Sequence, residues 1–160
     1  MTLLVLAAIS GQELAFPASA VAELVHLPRL ARLPTQPPVL AGVLLLRGRV
    51  VPVARLDRLL GLPDARFGPW AVVIVLSRPP PLPWAVAVER AVDVTEAERL
   101  EPAPAGLSYN DCVGWSWPSP GGAVPVLEPA RLLDRGQCRA LEAFHDEAER
   151  RRREWCGDGV

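Results

Sequence analysis

The chain has 160 residues, half of them hydrophobic, which is room for one domain of ordinary size or two small, closely packed ones. A formal net charge of −1 supplies no general attraction to nucleic acid or to an anionic membrane, and apolar runs that are short and broken by Arg or Pro leave nothing able to span a bilayer. Its 18 prolines and 12 glycines argue against long continuous helices and for many short strands.

In chain order, the apolar N-terminus Met1–Ala8 lacks the basic start of a signal peptide and reads as a first strand. It forms a hairpin with Glu13–Phe16 around Ser10-Gly11-Gln12. Pro17-Ala18-Ser19-Ala20 predicts a helical turn with Val21, Leu24 and Val25 on one face, and a Pro-punctuated loop follows over Leu30–Val39. Val39–Leu46 and Val50–Ala54 are two strands joined through Arg47-Gly48-Arg49, where Gly48 supplies a permissive backbone. A short helical turn holds Leu56, Leu59 and Leu60 and ends at Gly61-Leu62-Pro63.

Ala71–Leu76 is a continuous β-branched run expected to be a buried strand, and Pro79–Pro83 is a stiff connection. Trp84–Val88 and Ala91–Val94 make the next strand pair, Glu96–Leu100 a short turn and Gly106–Asp111 a loop. Val113–Trp117 and Ala123–Leu127 form a last hairpin, with Trp115 and Trp117 on one face, where core filling is the expected role. Gln137–Cys156 is a strong helix former with an apolar stripe at Leu141, Phe144, Ala148 and Trp155. Glu147 with Arg151 and Glu149 with Arg153 stand at ion-pair spacing along it. The stripe thins into Arg150–Arg153, so the Leu141–Phe144 end should dock while the basic end frays.

No constellation for catalysis stands out. There is no Gly-rich phosphate loop, no Gly-x-Ser-x-Gly elbow and no His-Glu-x-x-His. His26 reads as a partly exposed structural residue and His145 as solvated; Asp57, Asp64, Glu96 and Glu98 read as surface charges in turns. Cys112, Cys138 and Cys156 have no metal-ligand spacing and read as free thiols. The expectation is a protein that is not an enzyme and holds no cofactor or metal.

The strongest signal for function is Pro37–Gly61, where Arg47 is wedged between two hydrophobic β-type runs. The runs want burial, and a guanidinium cannot be fully buried unpaired, so the turn must present Arg47 at a surface beside apolar anchors. An internal ion pair to Asp57 or Glu23 is the plainer alternative, and the two agree if Glu23 orients Arg47.

This stretch resembles the signature of the CheW family, adaptors of bacterial chemosensory arrays, through Gly42, Val43, Leu46, Arg47, Gly48, Pro52, Val53 and Leu56. Val21-Ala22-Glu23-Leu24 upstream, Ala85–Val94 and Glu101–Pro104 downstream, and the closing Pro125–Leu133 are similar to further elements of that family, so the resemblance covers roughly residues 3–135. Leu45 stands where the family has Asn, and Arg55 and Glu89 where it has Asp.

The resemblance implies a mainly β fold: two small intertwined SH3-like β-barrels with a C-terminal helix, residues 1–136 forming the CheW-like domain and 137–160 a helical tail. It implies a cytoplasmic scaffold at membrane-associated receptor arrays. Its partners would be the regulatory domain of a CheA-type histidine kinase and the cytoplasmic tip of a methyl-accepting chemoreceptor, with no nucleic acid and no direct membrane insertion. Val21, Glu23, Gly42, Val43, Leu46, Arg47 and Gly48 would bind the partner. The alternative is a divergent domain of the same kind in a motility, pilus or polar-localisation assembly.

Overall fold

Two turns of the same kind organise the strands. Ser10 and Gly11, and again Arg47 and Gly48, all take positive φ between directly paired strand ends, Ile9 with Gln12 and Leu46 with Arg49. Two positive-φ residues in a two-residue loop are the pattern of the type I′ turn, whose twist matches that of the flanking strands. In this computed structural model, which describes residues 2–34, 36–77 and 83–156, the turns close the hairpins β1 (Thr2–Ile9) with β2 (Gln12–Pro17) and β4 (Leu40–Leu46) with β5 (Arg49–Arg55). The remaining strands are β3 (Val21–His26), β6 (Val72–Leu76), β7 (Trp84–Val88), β8 (Arg90–Ala97), β9 (Glu101–Pro102), β10 (Val113–Ser119) and β11 (Gly122–Leu127). Two α-helices, α1 (Leu56–Leu59) and α2 (Arg135–Cys156), complete the fold.

The strands form two sheets, one of six strands ordered β8-β1-β2-β11-β10-β9 and one of five ordered β3-β6-β7-β5-β4. The chain lays down β1 and β2, leaves to build the whole five-stranded sheet, and returns to finish the first, so the two units are intertwined. The fold is mainly β with a C-terminal helix, as the resemblance implied. Each unit has its own small core: Val51, Val53, Val73 and Val75 in one, Leu4, Leu6, Val124 and Val126 in the other. The largest buried cluster lies between them and takes Ile9, Leu14 and Phe16 from the six-stranded sheet and Ile74, Trp84 and Val86 from the five-stranded one. Leu141 and Phe144 of α2 close it.

Several sequence expectations are corrected. The helical turn after Pro17 is only a 3-10 turn, Ala18–Ala20, and Val21, Leu24 and Val25 lie in a strand whose residues alternate between half-buried and exposed. Its pairing with β6 overrides the local helical start. The turn expected from Glu96 is the end of β8, which runs on to Ala97 against β1. Trp115 is exposed on its strand, while Trp117 packs on the smaller core of its sheet. His145 is not solvated; its side chain is 17% exposed. Asp57, expected at the surface, is completely buried.

The expected Pro79–Pro83 connection falls largely on residues 78–82, which lie outside the described residues, as do the Trp155 side chain and residues 157–160. Cys112 is buried and Cys138 half-buried, both free thiols. No helix among the described residues is long and apolar enough to cross a membrane.

α2 begins with a reciprocal cap. Gln137 N–H donates to Asp134 Oδ1 at 2.7 Å, and Asp134 N–H donates to Gln137 Oε1 at 3.0 Å. From there the apolar stripe Leu141, Phe144 and Ala148 is buried. Of the expected ion pairs, Glu147–Arg151 forms at 2.8 Å, whereas Glu149 reaches Arg152 at 3.3 Å in place of Arg153.

Candidate functional site

The β4–β5 hairpin carries most of the expected binding residues. Arg47 stands at its tip with φ 50°, a left-handed conformation unusual for a residue with a side chain, followed by Gly48 at φ 77°. Its guanidinium reaches back to β3. Nη1 donates to Glu23 Oε1 at 2.9 Å and Nη2 to Glu23 Oε2 at 3.1 Å, a bidentate fork. The Arg47 side chain is nonetheless 77% exposed and that of Glu23 only 27%. Glu23 thus holds Arg47 in one orientation while leaving the outer rim of the guanidinium open.

The other expected residues sit behind this pair. Val21 and Val43 are half-buried against the core between the units, and Leu46 packs on the core of its own sheet. Gly42 lies at a β-bulge of β4, facing the segment after β3. A Cβ on it would stand 2.5 Å from the Ala31 carbonyl oxygen, so the close approach that this glycine permits is made by the chain itself. Ala31 and Val43 exchange backbone hydrogen bonds there, Val43 N–H to Ala31 O at 2.8 Å and Ala31 N–H to Val43 O at 3.2 Å. Five of the seven expected residues therefore lie on one hairpin, β3 supplies Val21 and Glu23, and Glu23 and Arg47 touch directly.

Two neighbouring features were not legible as part of the site. Leu45 projects from the same hairpin and is 58% exposed. The far half of α2 packs beside it, and Glu149 Oε1 accepts from Val50 N–H at 3.3 Å. The sequence signal for the first was Leu45 itself, an apolar residue just before Leu46-Arg47 where the resembled family has Asn. Nothing local announced the second.

Two of the three positions that depart from the family pattern, Arg55 and Glu89, have structural employment. Arg55 donates through Nη2 to Asp57 Oδ2 at 2.6 Å and through Nε to Oδ1 at 3.2 Å, and its Cζ lies 5.3 Å from the centre of the Phe67 ring. Asp57 also accepts from Ala65 N–H at 2.8 Å and Arg58 N–H at 2.9 Å. Burial alone would push the Asp57 carboxyl up; the Arg55 guanidinium and the two backbone donors outweigh it and hold the group below the ordinary carboxylate range. Glu89 accepts from Ser10 N–H at 2.5 Å and so pins the β1–β2 turn to the end of β7.

The hairpin tip has the chemistry of a docking site: an oriented cation, apolar flanks and a rigid two-strand mount. Among the described residues no group of three or more His, Cys, Asp or Glu side chains is placed to hold a metal ion.

Comparisons with known proteins agree on the fold. A family model described as a CheW-like domain matches residues 3–137. No curated protein matches the chain. Among solved structures, the chain is similar to the scaffolding protein TtCheW from Thermoanaerobacter tengcongensis, with a TM-score of 0.73, 16% identity, and coverage of 83% of this chain and 92% of that one.

Proposed function

The chain belongs to the CheW-like domain family, and from that premise we propose that it is a non-enzymatic adaptor of a bacterial chemosensory system, coupling chemoreceptors to a CheA-type histidine kinase. The observation that carries this reading is Arg47, held at 77% exposure on a positive-φ turn and oriented by a bidentate Glu23. A residue kept in an unfavourable backbone conformation to display a cation is better explained by a partner than by stability, since an exposed ion pair contributes at most about 1 kcal/mol.

In this reading Val21, Glu23, Gly42, Val43, Leu46, Arg47 and Gly48 form the seat of the receptor's helical tip, and the kinase's regulatory domain docks elsewhere on the barrels. Coupling is then a matter of geometry. Fixing both partners on one rigid body makes the conformational equilibrium of each depend on the other, with no covalent step in the adaptor. The adaptor works in the cytoplasm, at receptor arrays beside the membrane.

The test is co-sedimentation of the protein with membranes bearing a receptor and with a CheA-type kinase from the same cell. Arg47→Ala should weaken receptor capture by about 2 kcal/mol while the kinase contact and the melting temperature hold. A sharp fall in melting temperature with unchanged receptor affinity would assign Arg47 to the fold instead. Leu45, apolar and exposed where the family carries Asn, favours a second reading, a divergent adaptor in a motility, pilus or polar-localisation assembly. Recovery of a localisation protein and no receptor from the native cell would select it.

A further inference from the structure

A groove of about 380 Å³ runs between the far half of α2 and the β4–β5 hairpin. Val43, Leu45 and Val50 form its apolar floor, and Arg32, Arg151 and Arg152 stand around it. We propose that this groove docks an acidic amphipathic helix, and that it is a second contact for the helical partner seated at Arg47; the assignment to that partner rests on the preceding reading.

Three observations carry the proposal. The floor continues the Arg47 hairpin, and Leu45 on it is 58% exposed, an uncovered apolar side chain on a strand whose other residues are buried or half-buried. One wall is anchored at its root: α2 is fixed by buried Phe144 and Ala148 and by the bond from the Val50 backbone to Glu149, and Arg151 and Arg152 follow Ala148 at helical spacing. The lining holds three arginines and no carboxylate; Glu147 and Glu149 pair with two of those arginines, so the groove keeps a modest net positive charge, centred on Arg32. Arg151 and Arg152 are ion-paired along α2 with Glu147 at 2.8 Å and Glu149 at 3.3 Å, and Arg32 has no side-chain partner among the described residues. An apolar floor with cations around it fits a helix that presents one apolar row flanked by carboxylates.

The proposal is tested on the full-length protein by titrating its amide resonances with a helical peptide of repeated Glu-Ala-Leu-Leu-Glu-Ala-Ala heptads, beside the same peptide with lysine for glutamate. The expected result is saturable shifts at Ala31, Leu45, Val50 and Ala148 with the acidic peptide alone, weakening as salt is raised. Leu45→Asp, at a site too exposed to threaten folding, should abolish them, and Arg32→Glu with Arg151→Gln should lower the affinity by ~10-fold or more. An equal response to the lysine peptide, shifts centred elsewhere, or unchanged affinity in both variants overturns the groove. Receptor capture separates the two readings. If Arg47→Ala loses the receptor while Leu45→Asp keeps it in full, the second contact is wrong and the adaptor reading stands. If neither variant affects capture, the adaptor reading fails, and the peptide titration still decides the groove on its own.

Discussion

Arg47 occupies a backbone conformation that asparagine or glycine would adopt with less strain, and the two-residue turn it shares with Gly48 is the setting in which Asn-Gly is favoured. Arg47→Asn should therefore leave stability within about 1 kcal/mol of the native protein, the eased turn offsetting the lost ion pair to Glu23. The same variant should lose receptor binding as Arg47→Ala does. Thermal denaturation and an affinity measurement on one preparation check both halves, and a strongly destabilised Arg47→Asn would show that the fork to Glu23 holds the barrel together. Asp57 is the opposite kind of residue, a buried charge that serves the fold. Its folded-state pKa lies below its unfolded value, so its contribution is present above the ordinary carboxylate range and is lost as pH falls through the depressed value. Asp57→Asn leaves Arg55 without its carboxylate and should cost about 3 kcal/mol at neutral pH. It should also flatten the fall of stability below about pH 4 relative to the native protein, which urea titrations at several pH values would read.

At the scale of elements, α2 does two jobs along its length. Its first half is core: Leu141 and Phe144 are each 6% exposed and belong to the cluster between the sheets. Phe144→Ala should cost about 3 kcal/mol. Its second half touches the hairpin through Ala148 and Glu149 and is otherwise held by exposed ion pairs. Arg150 bonds Glu147 at 2.7 Å and also pairs with Glu154, and the arginines around Glu147 lower its carboxyl to about 2. Such pairs add little stability. Truncation after Glu149 should therefore cost under about 1 kcal/mol, and hydrogen exchange should show protection falling beyond Ala148. Strong, even protection through Arg153 would show that the basic turns belong to the core.

The whole molecule has two sheets but one dominant core. Ile9, Leu14 and Phe16 from one sheet are packed in the same cluster as Ile74, Trp84 and Val86 from the other, and the chain enters the six-stranded sheet twice. Neither unit can be peeled away without exposing that cluster, so the protein should unfold in a single transition. Calorimetric and van't Hoff enthalpies should agree, and backbone and tryptophan signals should coincide. Two resolved transitions would mean that the units are stable apart.

Sequence alone determined the elements whose signals are local. The runs at Val50–Ala54 and Ala71–Leu76 read as strands because each is apolar without a break, Arg47-Gly48 read as a turn because its flanks demand burial and it does not, and the order of motifs carried the family resemblance, which in turn implied the intertwined barrels that strand spacing alone left indistinct from one sandwich. Exposure of Arg47 followed from the same argument about an unburied guanidinium; Asp57 and Glu23 were both left open as its partner, and the structure pairs it with Glu23 while Asp57 takes Arg55. Tertiary structure decided whatever depends on partners distant in sequence. Val21–His26 is a strand because β6 lies beside it; Trp115 is exposed because no element among the described residues covers its side chain on β10; and Asp57 is buried because Arg55 and the Ala65 backbone surround it. The space over Gly42 belongs to Ala31, and the flank of the Arg47 hairpin belongs to α2, across about a hundred residues of chain. Periodicity and turn chemistry act over a few residues, and so they specify elements; which element covers which is set by burying the most apolar surface over the whole chain, and no local pattern records that outcome.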